Sequence, residues 1–339
     1  MPEHWEKLIQ RCVLARRDEM VSSIVSQGAG ARKQERDDTR EELSRWHGAT
    51  QRAAIQEAVR TGLALRYPLA VNLVQSSYLI RHRKDESIEP GQALSIIEKM
   101  NTAVRDTVRH GWSMFYPFTR KEIRPHFLTD SAVDACDTEF IQPSLHEDGG
   151  KGHGDFWRLS LDGRASLLRN FHEDRFSTPQ SVPEGQLWFD PFYQVQDITE
   201  IVRHARAYAE EFADVTEICF QLEWKGLKST VIASHRNRYD SESYPFNGNA
   251  QRIRDCFPQA EIIGSLPAVV ARLFSPVHRM FNPRSDYSAD SVARVVKVFI
   301  EPGVSHAASV CDRAGLLLSS TCIVPAWGDV EKVFPRRYD

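Results

Sequence analysis

The sequence predicts an α+β fold, on three observations. Helical spacing of apolar residues dominates the first 110 positions, strand signals joined by turn residues dominate the rest, and single helices are inserted among those strands. Hairpins separated by single helices do not give the alternating βαβ order of a parallel sheet, so an antiparallel sheet with packed helices is expected.

Taking the elements in order, Trp5, Leu8, Ile9 and Cys12 share a helical face, and Met20, Val21, Ile24 and Val25 resume it. The SQGAGA run at Ser26–Ala31 interrupts the pattern. ARKQERDDTREELSRW then leads into Leu43, Trp46, Ala53, Ala54, Val59 and Leu63. Basic and acidic residues interleave there, which fits a solvated helix face better than a basic stripe for nucleic acid. A further helix is expected at Gln92–Arg109, with Leu94, Ile97, Val104 and Val108 facing inward. The organisation read from the sequence is therefore a helical region over 1–110, an α+β domain over 111–300 and an irregular tail over 301–339. The helical region suits oligomerisation or partner docking.

From Gly111 the pattern shifts to short strands. TRKEIRPHFLTD and DTEFIQPSL read as strands weakened by Pro125 and Pro143. In FWRLSLDGRASLLRNF, Asp162-Gly163 predicts a two-residue hairpin turn. That register sets Trp157 opposite Leu168 and Leu159 opposite Ser166, with Arg158 and Arg169 together on the other face. LWFDPFYQV reads as a strand. Asp197 with Glu200 reads as a capping box opening a helix whose apolar set is Ile198, Ile201, Val202, Ala205, Tyr208, Ala209 and Phe212. Ile218, Phe220, Leu222 and Trp224 alternate with Glu217, Cys219, Gln221, Glu223 and Lys225, a half-buried strand. LKSTVIASH reads as its hairpin partner across Lys225-Gly226, and helices follow at Leu266–Phe281 and Ser288–Ile300.

The 339 residues carry a net charge of −3, so no global field draws the chain to nucleic acid or an acidic membrane. The six cysteines are scattered without a CxxC pair, which speaks against a disulfide scaffold or a zinc knuckle. The charged start MPEHWEKLIQRC is unlike a signal peptide, and no apolar run approaches the roughly 18 residues of a membrane span. A cytoplasmic location is expected.

Phosphate-loop and nucleophile-elbow motifs are absent. His146-Glu147-Asp148, His153-Gly154-Asp155 and His172-Glu173-Asp174 lack metal-ligand spacing, so no metal site and no cofactor is predicted. Glu223-Trp224-Lys225 places an acid and a lysine on one strand face. With Asp190 as an earlier carboxylate they compose a Mg²⁺-dependent nuclease set, in which the carboxylates hold the ion and the lysine steadies the attacking water. A solvated strand face explains the same residues. Aromatic and basic residues also interleave, at Trp112, Tyr116 and Arg120, at Trp157 and Arg158, at Arg169 and His172, and at Trp224. Such a surface can hold a planar ligand or a partner, and it can equally build a core with snorkelling arginines.

HGWSMFYPFTR (His110–Arg120), DFWRLSLDGRASLLRNFHED (Asp155–Asp174) and EWKGLK (Glu223–Lys228) resemble phrases of an uncharacterised bacterial region that often follows Schlafen/AlbA-type domains with a DNA-binding role. The resemblance spans roughly 92–300. It implies an association with DNA-binding machinery and assigns no catalytic residue. The marks of the AlbA-type domain itself, a Glu-Phe-Lys-like strand and a Gly-Gly turn, are not found, since Gly149-Gly150 falls in a loop. The functional expectation is a non-enzymatic regulatory or sensor module binding a ligand or protein partner. The nuclease and non-catalytic nucleic-acid binding are the alternatives, and a homo-oligomer through the N-terminal helices is a further expectation.

Overall fold

The structure is a computed structural model that describes residues 34–57, 73–82, 87–104, 114–116, 124–127, 139–145, 154–171, 182, 186–233, 245–281 and 289–300. The fold is α+β. Among the described residues, seven strands form one sheet in the order β2-β3-β4-β5-β1-β7-β9, every neighbouring pair antiparallel. They are β1 (Leu73–His82), β2 (His126–Phe127), β3 (Glu139–Leu145), β4 (Gly154–Ser160), β5 (Arg164–Asn170), β7 (Val215–Lys225) and β9 (Ala250–Pro258). Two short strands, β6 (Trp188–Phe189) and β8 (Val231–Ile232), pair parallel beside it.

Side chains alternate across a strand, so the sheet has two distinct faces. One face takes Val74, Tyr78, Ile80, Trp157, Leu159, Leu167, Ile218, Phe220, Leu222, Trp224 and Phe257 into the main core. Above it lie α2 (Ala93–Val104), α3 (Pro191–Ala209), the short α4 (Gln259–Gly264), α5 (Leu266–Phe281) and α6 (Ala289–Ile300). The opposite face is covered by α1 (34–57), the helix grown from the charged segment. No helix among the described residues is long and apolar enough to cross a membrane.

The structure corrects several sequence expectations. The segment 1–110 is not all helix: Leu73–His82 lies between β5 and β7, so the chain before residue 110 builds the middle of the sheet. LVQSSYLI is buried on both faces, which removes the alternation by which a strand is recognised. The β4–β5 hairpin forms where Asp162-Gly163 placed it, but the loop holds three residues, Leu161–Gly163, and the register moves by one. Trp157 pairs with Leu167, Leu159 with Ala165 and Arg158 with Ser166. A slip of one residue exchanges faces, so Arg158 and Arg169 lie on opposite sides of the sheet.

LWFDPFYQV is mostly not a strand. Pro191 opens α3, and Asp190 caps it by accepting from Phe192 N at 2.9 Å. Asp197 and Glu200 are therefore mid-helix and buried, not a capping box. LKSTVIASH is not the hairpin partner of β7. Gly226 (φ 78°) and Ser229 (φ 62°) turn the chain out of the sheet, Val231–Ile232 pairs with β6, and β9 takes the place beside β7. Leu94 is exposed, and α2 faces inward through Ala93, Ile96, Ile97, Met100 and Val104. The helix expected at Leu266–Phe281 is found there, and the next begins at Ala289. The apolar sets before residue 34 and the tail 301–339 lie outside the described residues, as do Val59, Leu63 and Val108.

Gly163 has φ +97°, in the region that favours glycine, and a Cβ there would meet Ile80 Cβ at 3.2 Å and Ile80 O at 3.3 Å. Its carbonyl also accepts from Ile80 N at 3.0 Å, tying the hairpin loop to β1. Gly163→Ala is expected to cost about 1–3 kcal/mol in chemical denaturation. A change under 0.5 kcal/mol would show that the loop relaxes freely.

Candidate functional site

The polar residues of β7, read from the sequence as a solvated strand face, are buried beneath α1 together with the polar residues of β1. Its sheet-facing positions Leu43, Ser44, His47, Gln51 and Ala54 recur at helical spacing. Among the described residues, apolar contact between α1 and the sheet gathers in two spots. Leu43 meets Leu79, Cys219 and Cys256, while Ala54 meets Phe156 and Leu168. Between them runs a chain of hydrogen bonds centred on His47, Ser77, Ser166, Gln75, Gln51 and Glu223.

The donor directions in this chain are mutually determined. Gln75 Nε2 donates to Ser166 Oγ (3.1 Å) and to the His47 carbonyl (2.9 Å). Ser166 and Ser77 hydroxyls meet at 2.5 Å, and Ser77 Oγ lies 2.8 Å from His47 Nδ1. His47 Nε2 is 3.1 Å from Glu223 Oε2, and Gln51 Nε2 donates to that oxygen (2.8 Å) and to Gln75 Oε1 (2.7 Å). Glu223, acting only as acceptor when ionised, orients the rest. His47 donates from Nε2, accepts at Nδ1 from the Ser77 hydroxyl, and Ser77 accepts from Ser166. The network is thus satisfied with His47 neutral and Glu223 charged.

The local charges agree. Burial pulls the His47 pKa below its ordinary 6.5, and this outweighs the Glu223 carboxylate beside it. Burial pushes Glu223 up, but hydrogen bonds from His47 and Arg252 (2.7 Å) and the charge of Lys225 (3.6 Å) overcome it and hold the carboxyl at about 2. At the helix edge Trp46 carries Arg158 and Arg164 on its ring, 4.5 and 4.8 Å from the centroid. At the N-terminal end Arg81 joins Glu35 of the helix to Glu217 of β7.

Ser77, His47 and Glu223 stand in the order of a hydrolytic triad, yet His47 rides on the helix that covers Ser77. Lifting the helix to admit a substrate would carry the base away from the nucleophile.

The residues singled out in the sequence divide between the two faces. Glu223 and Lys225 are neighbours beneath α1. Asp190 caps α3 on the opposite side of the sheet, where Trp224 Nε1 donates to Gln194 Oε1 (2.8 Å) of that helix. The structure does not bring Asp190 to Glu223 and Lys225. Trp157 and Trp224 are each 1% exposed and fill the core, Arg158 stacks on Trp46, and Tyr116 lies at the surface. They form no common pocket wall. Trp112, Arg120 and His172 lie outside the described residues, as do His146, Glu147, Asp148, His153, Glu173 and Asp174.

Arg169 belongs to a second buried cluster. Its guanidinium is bidentate to Asp155, both bonds 3.1 Å, and 3.6 Å from Asp197. Glu200 accepts from Met114 N at 2.7 Å, and burial raises it to about 7 despite the charge of Arg169. Beside it His204 meets the Tyr78 hydroxyl at 2.9 Å and stacks on Phe115, and burial alone holds it down to about 3. These groups fix the turn at Met114–Tyr116 onto α3 and β4, where Trp157 Nε1 donates to the Tyr116 carbonyl.

The cysteine expectation is also corrected, because Cys219 and Cys256, directly opposite on β7 and β9, form a disulfide. Glu217 has its carboxylate within 4.8 Å of both sulfurs, a grouping that suits a metal ion. The sulfurs are bonded to each other, however, and Glu217 is held by Arg81 (2.7 Å) and Arg36 (3.7 Å).

Sequence reasoning missed His47, Gln75, Ser77 and Ser166, since no motif joins positions 47, 77, 166 and 223. The available signal was the run Gln75-Ser76-Ser77 inside an otherwise apolar strand. No family model, curated protein or solved structure matches the chain.

Proposed function

We propose that the chain is a regulatory or sensor module without catalysis of its own, in which α1 is a releasable cover and the sheet face beneath it receives a protein partner. The observation that carries this reading is the chemistry of the helix seat. A permanently packed helix buries an apolar stripe, whereas this one is held mainly by hydrogen bonds and ion pairs, each of which water or a partner can replace at modest cost. Uncovered, the face presents Arg158, Arg164, Lys225, Arg252 and Arg254 against Glu217 and Glu223, so the partner is anionic. The apolar spots at Leu79 and Phe156/Leu168 are spaced for an amphipathic segment, which favours an acidic protein helix over a nucleic-acid duplex. The resemblance to regions beside DNA-binding domains supports a regulatory setting, and we place it in the cytoplasm.

A fluorescent peptide copying residues 34–57 tests the reading on the full-length chain. The peptide is expected to bind a His47→Ala variant at least about tenfold more tightly than the wild type, because the variant's own helix has lost two hydrogen bonds. Equal or absent binding to both would overturn it. Displacement of the resident helix by short duplex DNA, falling steeply with salt, would transfer the site to nucleic acid.

A further inference from the structure

We propose that Cys219 and Cys256 are a redox-active pair whose reduction by a dithiol releases α1. This rests on the reading of α1 as a releasable cover and names what controls it. Cys219 and Cys256 are opposed on strands that already pair from Glu217–Pro258 to Lys225–Ala250, so the sheet does not depend on the bridge for its register. The bridge lies on the helix-covered face, in a small cluster with Leu43 and Leu79 that is separate from the main core. Two thiols occupy more room than a disulfide, and the space beside this one is filled by Leu43. Leu43 lies one helical turn from His47, so displacing it disturbs the hydrogen bonds from His47 to Ser77 and Glu223.

Access also has a direction. β9 ends the strand order of the sheet, and Cys256 is 8% exposed while Cys219 is fully buried. A thiolate of the dithiol attacks Cys256 Sγ, the bond to Cys219 breaks, and Cys219 leaves as a thiolate that takes up a proton. The second thiolate of the reductant then attacks the mixed disulfide, closes its own disulfide and frees Cys256 as a thiol. Two electrons pass from the dithiol to the pair. With α1 docked, Leu43 shields the bridge, so release and reduction favour each other.

Full-length protein is treated with dithiothreitol, and hydrogen exchange is followed in residues 34–57 and in α3. Differential alkylation with peptide mapping separates Cys219 and Cys256 from Cys12, Cys136, Cys311 and Cys322. Reduction is expected to speed exchange in 34–57 at least tenfold, leave α3 unchanged, and reverse on reoxidation. A Cys219→Ser/Cys256→Ser variant, whose hydroxyls are smaller than thiols and cannot bridge, is expected to show no change of exchange in 34–57 on adding dithiothreitol. Free thiols at both positions in the oxidised protein, or equal exchange in both redox states, would overturn the proposal. If His47→Ala speeds exchange in 34–57 while reduction does not, the cover stands and its redox control falls. If neither speeds it, both fall.

Discussion

Arg169→Met is expected to cost about 3–5 kcal/mol of unfolding free energy at neutral pH, the largest effect of any single substitution considered for this fold. The guanidinium is the cation facing three buried carboxyls, Asp155, Asp197 and Glu200. Methionine fills much of the volume but takes away the positive charge facing those groups and the two hydrogen bonds to Asp155, and removing one partner costs more than the intact pair contributes. The loss has a pH signature. Burial lifts the Glu200 pKa from 4.5 to about 7 even with Arg169 lowering it, so without Arg169 this carboxyl binds a proton still more readily in the folded state. A folded state that binds more protons than the unfolded chain loses stability as pH rises. The variant should therefore lie closer to wild type at pH 5 than at pH 8 in urea denaturation. A cost of under 1 kcal/mol, or one that does not change between these pH values, would mean that the carboxyls are neutral or hydrated without Arg169.

This cluster also shows what the sequence made legible. The sequence shows Asp155 in a His-Gly-Asp triplet, Arg169 on the polar face of a hairpin and Asp197 with Glu200 as a capping box, and two physical facts behind their meeting are hidden in it. The first is the three-residue loop at Leu161–Gly163, which moves the register by one and puts Arg169 on the α3 face beside Asp155. The second is Pro191, which begins α3 six residues before Asp197 and turns an apparent cap into an interior acid. Strand β7, by contrast, was read correctly for its apolar side, because Ile218, Phe220, Leu222 and Trp224 alternate with polar residues. Its polar side was misread for a general reason. Alternation says that two faces differ, and it does not say that the polar one meets water. Covering it requires a complementary helix, and α1 supplies Ser44, His47 and Gln51 from a stretch whose interleaved charges are those of a solvated surface. The α+β class survived these errors because it rests on element type and order. The site did not, since it is assembled from four distant segments.

Glu223→Ala is the second large effect expected, about 2–4 kcal/mol at pH 7, read as stability and as protection of residues 34–57. The carboxylate accepts from His47, Gln51 and Arg252, and alanine leaves the buried His47 Nε2 without its acceptor, while Gln51 keeps only its bond to Gln75. The half-exposed Arg252 recovers water, so the upper part of the range is not expected to come from that pair. In the wild type, two windows of acid sensitivity follow from the two shifts. His47 has a folded pKa below 6.5, so its contribution is complete above 6.5 and declines as pH falls from there toward the lowered value. Glu223 has a folded pKa of about 2 against 4.5, so its contribution is complete above 4.5 and is lost as pH falls toward 2. Glu223→Ala removes the second window and keeps the first, because burial, the larger influence on His47, remains. Without Glu223 the His47 pKa falls further, so the gap between variant and wild type should widen as pH falls from 6.5 toward 4.5 and narrow below it, where wild type loses the Glu223 contribution. A gap that is constant down to pH 2 would show that Glu223 is not the charged anchor of the network. A wild type whose helix protection is unchanged from pH 7 to pH 5 would show the same for neutral His47.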